Sequence, residues 1–331
     1  MHLKNKLRSG MAILGANLFN RKVPINVMWR ITNKCTGRCN YCRIPLRKQK
    51  ELSTQQIIRV IQQMVRAGTQ RIGLVGGEPL CREDIGAIVQ FLKKNNMYVT
   101  LVSNGVYVKR KLQEIIGIDY LILSLDGDRK THEKNRPQGS YKIVINAIKA
   151  AKKRIPIMTN TVLNKDNEDA IDFILDLSKK YGFIPHFNVL QGVPSLIPKD
   201  NYHSCIQKLK LRKKQGYAIA NSEALLDYYL SWGDFSHYTS SCRSSKFPVC
   251  FAGRLFCNID TDGTLGPCDL HWNVGLNVQE VGFRKAFLAL RPMDCKACTC
   301  ANLVDYNYIY SINAKVIMEW LRIVNHKGLD S

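Results

Sequence analysis

The stretch INVMWRITNKCTGRCNYC, residues 25–42, joins a short apolar run to three closely spaced cysteines. Residues 25–31 have the length and composition of a buried strand, and Cys35, Cys39 and Cys42 follow it in a CxxxCxxC pattern. Three thiolates on one loop can hold three irons of a [4Fe–4S] cluster and leave the fourth iron open for a ligand. Three cysteines alone, however, favour a zinc knuckle or a chance grouping, so the rest of the chain must decide.

The composition is that of a folded, enzyme-sized chain. It has 331 residues, of which 45% are hydrophobic and 9% aromatic. The net charge of +23 predicts an anionic neighbour, which can be nucleic acid, a phosphorylated substrate or an anionic membrane surface. Twelve clustered cysteines argue against a secreted disulfide scaffold and for metal binding in a reducing compartment. We therefore expect a cytoplasmic protein.

Residues 1–24 are predicted to form a basic amphipathic helix. Apolar residues recur on one face at helical spacing, at Leu3, Leu7, Met11, Leu14 and Leu18. Such a helix can lie peripherally on the inner face of an anionic membrane, or it can dock on the protein's own core with its lysines solvated. The segment lacks the features of a signal peptide, and no later segment has the length of a membrane span.

From residue 25 onward, short apolar runs alternate with helical patterns, which is typical of a mainly parallel sheet covered by helices. We predict six strands, at 25–31, 71–75, 98–102, 120–125, 157–163 and 184–190. We predict five intervening helices, at 53–67, 82–95, 109–116, 141–153 and 167–181. Ser53 and Asn167 are expected to be the N-caps of their helices.

Polar or glycine-rich segments follow the first four predicted strands. The cysteine loop follows the first, Gly76-Gly-Glu-Pro79 the second, Ser103-Asn-Gly105 the third, and Ser124-Leu-Asp-Gly127 ends the fourth. Ligands bind at the carboxyl ends of parallel strands, so we expect these segments to form one site. CxxxCxYC after the first strand and GGEP after the second resemble the radical S-adenosylmethionine (SAM) enzymes. The resemblance implies an α/β fold with a partial six-stranded β/α barrel, similar to a TIM barrel.

The resemblance also implies a chemistry. SAM would chelate the open iron, with Gly76 and Gly77 letting backbone carbonyls approach its amine and Glu78 adding a charge-assisted contact. One electron from the reduced cluster would then split SAM into methionine and a 5′-deoxyadenosyl radical. That electron calls for a reducing partner such as flavodoxin or ferredoxin.

A finer resemblance places further SAM contacts. The SLDG run at Ser124 is followed by His132, Arg136 and Gly139-Ser140, similar to a pattern in the anaerobic sulfatase-maturing enzymes. The match implies that Ser124 and Arg136 contact SAM, that Tyr41 packs near the adenine, and that Leu190 contacts the adenosine. For Asn160 and Asn164, a ribose contact and a turn-forming role both stay open.

A second group of cysteines lies near the carboxyl end, at Cys250, Cys268, Cys295 and Cys298. The first two flank a predicted hairpin turn at residues 260–263, in the pattern Cys-x12-Gly-x4-Cys followed by CxxC. This pattern resembles the SPASM and Twitch extensions, which carry auxiliary [4Fe–4S] clusters. The cysteines after Cys298 are too few for a full SPASM set, which favours Twitch with one auxiliary cluster. A zinc ribbon would use the same four ligands.

The remaining cysteines are given secondary roles. Cys242, Cys257 and Cys300 are candidates to replace one of the four auxiliary ligands. Cys81 and Cys205 are expected to be small buried apolar residues.

We therefore predict five segments. They are an N-terminal helix at 1–24, a radical SAM partial barrel at 25–190, a linking helical segment at 191–245, an auxiliary-cluster domain with a β-hairpin at 246–302, and a C-terminal helix at 303–331. The predicted function is reductive cleavage of SAM followed by oxidation of a substrate, with the auxiliary cluster accepting the electron.

The substrate is left open. The basic surface and the N-terminal helix favour an anionic or lipid-linked small molecule. Peptide maturation would need a separate recognition partner, because only about two dozen residues precede the first strand. RNA is disfavoured, since the basic residues are spread rather than interleaved with aromatics. The alternative of another class is a non-enzymatic zinc or iron-sulfur protein that binds partners or carries electrons.

Overall fold

The computed structural model describes residues 3–241 and 247–325. Its strands, numbered in chain order, are β1 Asn26–Arg30, β2 Arg71–Val75, β3 Tyr98–Ser103, β4 Tyr120–Ser124, β5 Ile157–Leu163, β6 Ile184–Val189, β7 Thr239–Ser240, β8 Phe256–Ile259, β9 Leu265–Gly266 and β10 Ala297–Cys298. Its α-helices are α1 Leu3–Phe19, α2 Thr54–Arg66, α3 Ile85–Lys94, α4 Val108–Ile115, α5 Arg129–Asn135, α6 Ser140–Ala151, α7 Ala170–Tyr181, α8 His203–Lys214, α9 Glu223–Leu230, α10 Val278–Val281, α11 Phe283–Ala289, α12 Ala301–Tyr310 and α13 Ala314–Asn325.

The predicted fold class is confirmed. Strands β1 to β6 are parallel and lie side by side in chain order, in an eight-stranded sheet that curves as an open barrel. The predicted hairpin joins this same sheet, because β8 pairs in parallel with β1, with Val27 opposite Cys257. Strand β9 then pairs antiparallel with β8 at the edge. The short strands β7 and β10 form a separate two-stranded sheet.

Buried and partly buried residues alternate along the strands, so the sheet has two different faces. In β5, alternate residues from Ile157 to Leu163 are buried, while Met158, Asn160 and Val162 between them are partly buried. Fully buried Leu121 and Leu123 in the neighbouring strand β4 repeat the pattern. Burying such a side chain contributes about 1.5–3 kcal/mol, so this apolar face anchors the sheet and the strand ends that carry the site.

Of the two predicted helix N-caps, one is confirmed and the other is wrong. Ser53 caps α2 as predicted, because its side chain accepts a hydrogen bond from the backbone N–H of Gln56. Asn167 does not cap α7, which begins at Ala170. The Asn167 amide instead accepts from the backbone of Asn164 at 2.7 Å and donates to the carbonyl of Asp126 at 2.9 Å. The side chain therefore ties the loop after β5 to the loop after β4.

The carboxyl end also differs from the prediction. The single helix expected at 303–331 is two helices, α12 and α13. The break occurs because Asn313 accepts a hydrogen bond from the N–H of Val316 and starts a new helix. Residues 326–331 lie outside the described part of the chain. The predicted linking segment contains α8 and α9.

Helix α1 docks through a different face from the apolar one that its sequence suggested. Ala16 is fully buried, and Ala12 and Ile13 pack beside it against a cluster that includes Phe251 and Tyr310. The described residues of the predicted apolar face are exposed, with relative exposures of 61% for Leu7, 64% for Met11, 49% for Leu14 and 69% for Leu18. The side chains of residues 1–6 lie outside the description. Among the described residues, no helix is long and apolar enough to cross a membrane.

Candidate active site

The three predicted cluster ligands lie on the loop that follows β1, and each is partly buried: Cys35, Cys39 and Cys42. Hydrogen-bond donors surround two of the sulfurs. The backbone N–H of Gly37 lies 3.3 Å from Cys35 Sγ, and the amide nitrogen of Asn104 lies 3.8 Å from the same atom. The Arg136 Nη1 atom lies 3.8 Å from Cys39 Sγ. Such donors favour the thiolate form that an iron requires.

The same three thiols act on one another electrostatically. Burial raises the pKa of Cys35 and of Cys39, and in both cases nearby Cys42 adds to the rise. Within the described residues, no three His, Cys, Asp or Glu side chains form a site for a single metal ion. In an iron-sulfur cluster each thiolate binds its own iron, so these ligands need to surround the cluster rather than meet at one point. The loop and its donors fit that group.

The GGEP segment after β2 packs directly against the start of the cysteine loop. The backbone N–H of Gly77 donates to the carbonyl of Thr32 at 2.8 Å, and that of Glu78 donates to Lys34 at 2.8 Å. A Cβ atom on Gly76 would lie 2.4 Å from the Thr32 carbonyl oxygen, and one on Gly77 would lie 2.4 Å from that of Lys34. Both glycines are therefore needed for two backbone segments to approach each other, whatever else binds there.

Glu78 is fully buried and already has three hydrogen-bond donors around its carboxylate. They are the backbone N–H of Leu80 at 3.1 Å, the Ser103 hydroxyl at 2.9 Å and the backbone N–H of Asn104 at 2.7 Å. Burial raises the pKa of Glu78 to about 7, although these donors oppose the shift. The carboxylate thus fixes Asn104, the residue that reaches Cys35. The predicted contact between Glu78 and SAM stays a prediction.

Arg136 is held by a buried aspartate, Asp126, which was not among the predicted site residues. Asp126 is fully buried and accepts from Arg136 Nε at 2.6 Å, from the Tyr41 hydroxyl at 3.2 Å and from the backbone N–H of Val162 at 3.0 Å. Arg136 also donates to the Tyr41 hydroxyl at 2.8 Å. The structure therefore brings Tyr41 and Arg136 together, beside the cysteine loop. The signal for Asp126 was present, since it is the acidic position of the SLDG run.

His132 supports this cluster in its neutral form. Its Nδ1 atom accepts from the backbone N–H of Asp126 at 3.1 Å. Burial lowers the pKa of His132 to about 4, so the imidazole is uncharged at neutral pH. The imidazole therefore holds the backbone of Asp126 in place and adds no positive charge beside the Asp126 carboxylate.

The other predicted SAM contacts lie at neighbouring strand ends. Ser124 ends β4 opposite Asn160, and its hydroxyl has no partner among the described residues. Leu190 follows β6, and its backbone N–H and carbonyl bond to Leu163 and to Tyr202. Only its side chain is thus free for an adenosine contact. Asn164 is buried, and its side-chain oxygen accepts from the backbone N–H of Asp166 in the same loop, which favours the turn role left open for it. Its side-chain nitrogen donates to Asn135 of α5.

The four predicted auxiliary ligands line one cavity of about 230 Å³: Cys250, Cys268, Cys295 and Cys298. They come from the segment before β8, the turn after β9, and the region of β10. The Nε2 atom of His271 lies 3.9 Å from Cys295 Sγ. The structure therefore brings together thiols that are up to 48 positions apart in sequence, counted from Cys250 to Cys298.

Two of the three alternative ligands lie among the described residues, and neither of them lines this cavity. Cys257 lies on β8, is 2% exposed, and packs in the main apolar core. Cys300 caps the start of α12, where burial raises its pKa and the Cys268 thiol adds to the rise. Cys242 lies outside the described residues. Cys205 is buried as expected, whereas Cys81 is only partly buried.

Part of the chain matches a known protein family. Residues 29–178 match the family model of the Radical SAM superfamily. The match covers 150 of the 331 residues, so this part of the chain is a Radical SAM domain. Proteins of this superfamily use a [4Fe–4S] cluster and SAM.

Several individual proteins are similar to the chain. The PqqA peptide cyclase of Granulibacter bethesdensis is 24% identical over 259 residues, which cover 74% of this chain and 67% of that protein. SuiB of Streptococcus suis superposes with a TM-score of 0.65 at 16% identity, covering 91% and 77% of the two chains. The anSMEcpe structure with bound AdoMet superposes with a TM-score of 0.60 at 16% identity, covering 91% of this chain and 98% of that chain. The chain spans 64% of SuiB in its S-adenosylmethionine complex. These structures share its fold.

Proposed function

We propose that Cys35, Cys39 and Cys42 hold the catalytic cluster and that the enzyme oxidises a substrate at the carboxyl-terminal ends of β1 to β6. When bound, the cluster and SAM supply a 5′-deoxyadenosyl radical that removes a hydrogen atom from the substrate. One observation carries the proposal: hydrogen-bond donors from three segments, which follow β2, β3 and α5, converge on the cysteine loop. Gly77 bonds to the backbone that precedes the loop, and Asn104 and Arg136 reach its sulfurs.

The residues of this chain have separable roles in that proposal. Asp126 orients Arg136 beside Cys39. Glu78 fixes Asn104 beside Cys35. The Ser124 hydroxyl and the Tyr41 ring remain the proposed contacts to SAM.

We infer that Cys250, Cys268, Cys295 and Cys298 would hold one auxiliary cluster in this cavity. When bound, that cluster would supply an electron acceptor for the substrate oxidation. Cysteine thiolates in this number are the ligand set of a [4Fe–4S] cluster. In the reconstituted protein, the Cys268→Ala variant should lose about four of about eight irons per chain. Anaerobic iron and sulfide analysis, together with formation of 5′-deoxyadenosine, measures the outcome.

Cys205→Ala is the matched control for that variant, since Cys205 is equally buried and lines neither site. It should retain all of the iron. Cys268→Ala should still cleave SAM but should lose substrate oxidation. Full iron content in Cys268→Ala contradicts the auxiliary cluster, and about one zinc per wild-type chain in its place supports a zinc ribbon.

A peptide is the favoured substrate class. The PqqA relative is called a peptide cyclase, and SuiB and anSMEcpe have been crystallised with peptides. A separate recognition partner belongs to this proposal. Mass spectrometry of a candidate peptide after turnover should show a loss of two hydrogens. An unchanged peptide mass, with 5′-deoxyadenosine formed in the same reaction, contradicts a peptide oxidation.

Helix α1 supports a second candidate, an anionic or lipid-linked substrate met at a membrane surface. The exposed face of Leu7, Met11, Leu14 and Leu18 is unusual, because burying each such side chain contributes about 1.5–3 kcal/mol. Arg8 is exposed on the helix, and Arg21 is exposed two residues after its end. The chain as a whole carries a charge of +23. An apolar face with nearby cations complements an anionic bilayer.

Flotation tests that membrane contact. The protein should float with vesicles of phosphatidylglycerol and phosphatidylcholine but not with phosphatidylcholine alone. In the double variant Met11→Glu/Leu18→Glu, the bound fraction should fall at least about tenfold, since charge replaces buried apolar area. Leu211→Glu on α8 is the control, because Leu211 is 52% exposed and distant in sequence from α1. Equal flotation of all three proteins contradicts this role for α1.

A further inference from the structure

A second cavity begins at the amino-terminal ends of the strands, opposite the cysteine loop, and extends along the sheet as far as Val102 and Asn160. Its floor includes the first residues of β2, β3 and β4, which are Arg71, Tyr98 and Tyr120. Tyr306 of α12 and Trp320 of α13 also line it. The volume is about 160 Å³. An apolar cavity of about 150 Å³ is large enough to hold benzene, so this one can take a small organic molecule.

Among the described residues that line this cavity, Arg71 is the only cation and none is acidic. Among the described residues, the Arg71 guanidinium has no ion-pair partner and no hydrogen-bond acceptor. Its central carbon lies 4.7 Å from the centre of the Tyr98 ring and 5.5 Å from that of Tyr306. Stacking on rings uses the flat faces of a guanidinium and leaves its N–H edge available.

The nearby carboxylate that acts on Arg71 is already engaged. Asp119 accepts from Lys93 Nζ at 2.6 Å and from the backbone N–H of Val99 at 2.7 Å. A partly buried arginine whose guanidinium N–H groups have no acceptor is typical of a carboxylate or phosphate site. Arg71 is therefore available to an anion from outside the chain.

Other polar groups in the cavity favour a ligand that carries hydrogen-bond acceptors. The indole N–H of Trp320 is buried and has no hydrogen-bond partner in the described chain. A buried donor without an acceptor is costly, and a ligand oxygen would satisfy it. His186 lines the cavity in its neutral form, because burial lowers its pKa to about 4, and its Nδ1 lies 3.1 Å from Asn160 Oδ1. It adds no second charge.

We propose that this cavity binds a small organic carboxylate, whose oxygens bond to Arg71 and Trp320. Met28, Ile122 and Met158 supply an apolar wall for the body of the ligand. A single guanidinium among apolar walls matches a monoanion with an apolar body better than a multiply charged phosphate. No residue of the cysteine loop or of the GGEP segment lines this cavity.

Anaerobic isothermal titration calorimetry of the reconstituted protein tests the proposal. The probes are benzoate, phenylacetate and hexanoate, each compared with its neutral amide. At least one acid should bind, and its amide should bind at least about tenfold more weakly, because hydrogen bonds to a charged group are lost. Arg71→Gln should weaken binding of the acid by a similar factor. Arg110→Gln should not, although Arg110 likewise stacks on a tyrosine, because its side chain is 61% exposed on α4.

A second variant separates loss of the site from loss of folding. Ile122→Phe leaves Arg71 in place and fills part of the cavity, so it too should abolish binding while the circular dichroism spectrum stays unchanged. Three results overturn the proposal. They are no binding of any acid to the wild-type protein, equal binding of acid and amide, and undiminished binding by folded Arg71→Gln or Ile122→Phe.

Discussion

Cys39→Ala will form no detectable 5′-deoxyadenosine from SAM and will lose about four irons per chain relative to the wild-type protein. The loop offers three cysteines, and the fourth iron must stay open to bind SAM, so no spare thiolate replaces the missing one. Arg136 lies beside Cys39, so the variant also removes the sulfur that this cation faces. The measurement is chromatography of the nucleoside after reduction with dithionite, with iron analysis on the same sample.

Cys81→Ala serves as the control, because Cys81 lies just past the GGEP segment but outside the CxxxCxxC set. It should keep both the iron and the SAM cleavage. Wild-type yields of 5′-deoxyadenosine from Cys39→Ala contradict the assignment of the loop.

Asp126→Asn will lower the thermal midpoint of the protein by about 5–15 °C and reduce SAM cleavage sharply. Asp126 is fully buried and is the carboxylate bound to Arg136. Removing one partner of a buried ion pair leaves an uncompensated charge, which costs about 3–5 kcal/mol. Arg136 would also lose its alignment beside Cys39 and Tyr41. Anaerobic thermal unfolding and the nucleoside assay measure the two effects.

Asp172→Asn is the matched control for Asp126→Asn. Asp172 pairs with Arg212 at 2.7 Å, but its side chain is 40% exposed, and surface pairs contribute about 0–1 kcal/mol. Its midpoint should change by about 3 °C or less. Equal midpoints for both variants would show that the Asp126–Arg136 pair does not hold the site together.

Local patterns were sufficient for the barrel strands. Residues 71–75 and 157–163 were predicted with the bounds that the structure has, because strand length and apolar alternation are local properties. The pairing of β8 with β1 was not foreseen. It joins residues about 230 positions apart, and no local pattern specifies a partner strand at that distance.

The site shows the same division between local and long-range information. The cysteine loop and GGEP are contiguous motifs, so their residues could be named. Asn104 matters because a buried Glu78 aims it at Cys35, and that geometry follows from three strands lying side by side. Helix α1 docks through Ala12 and Ala16, since small side chains allow close approach, while its periodicity pointed to the larger leucines.

The most direct test of the account is SAM cleavage by the wild-type protein after anaerobic reconstitution with iron and sulfide. With dithionite and SAM, the account predicts 5′-deoxyadenosine and methionine in equal amounts from a protein with about eight irons per chain. Bound zinc with no 5′-deoxyadenosine would contradict it.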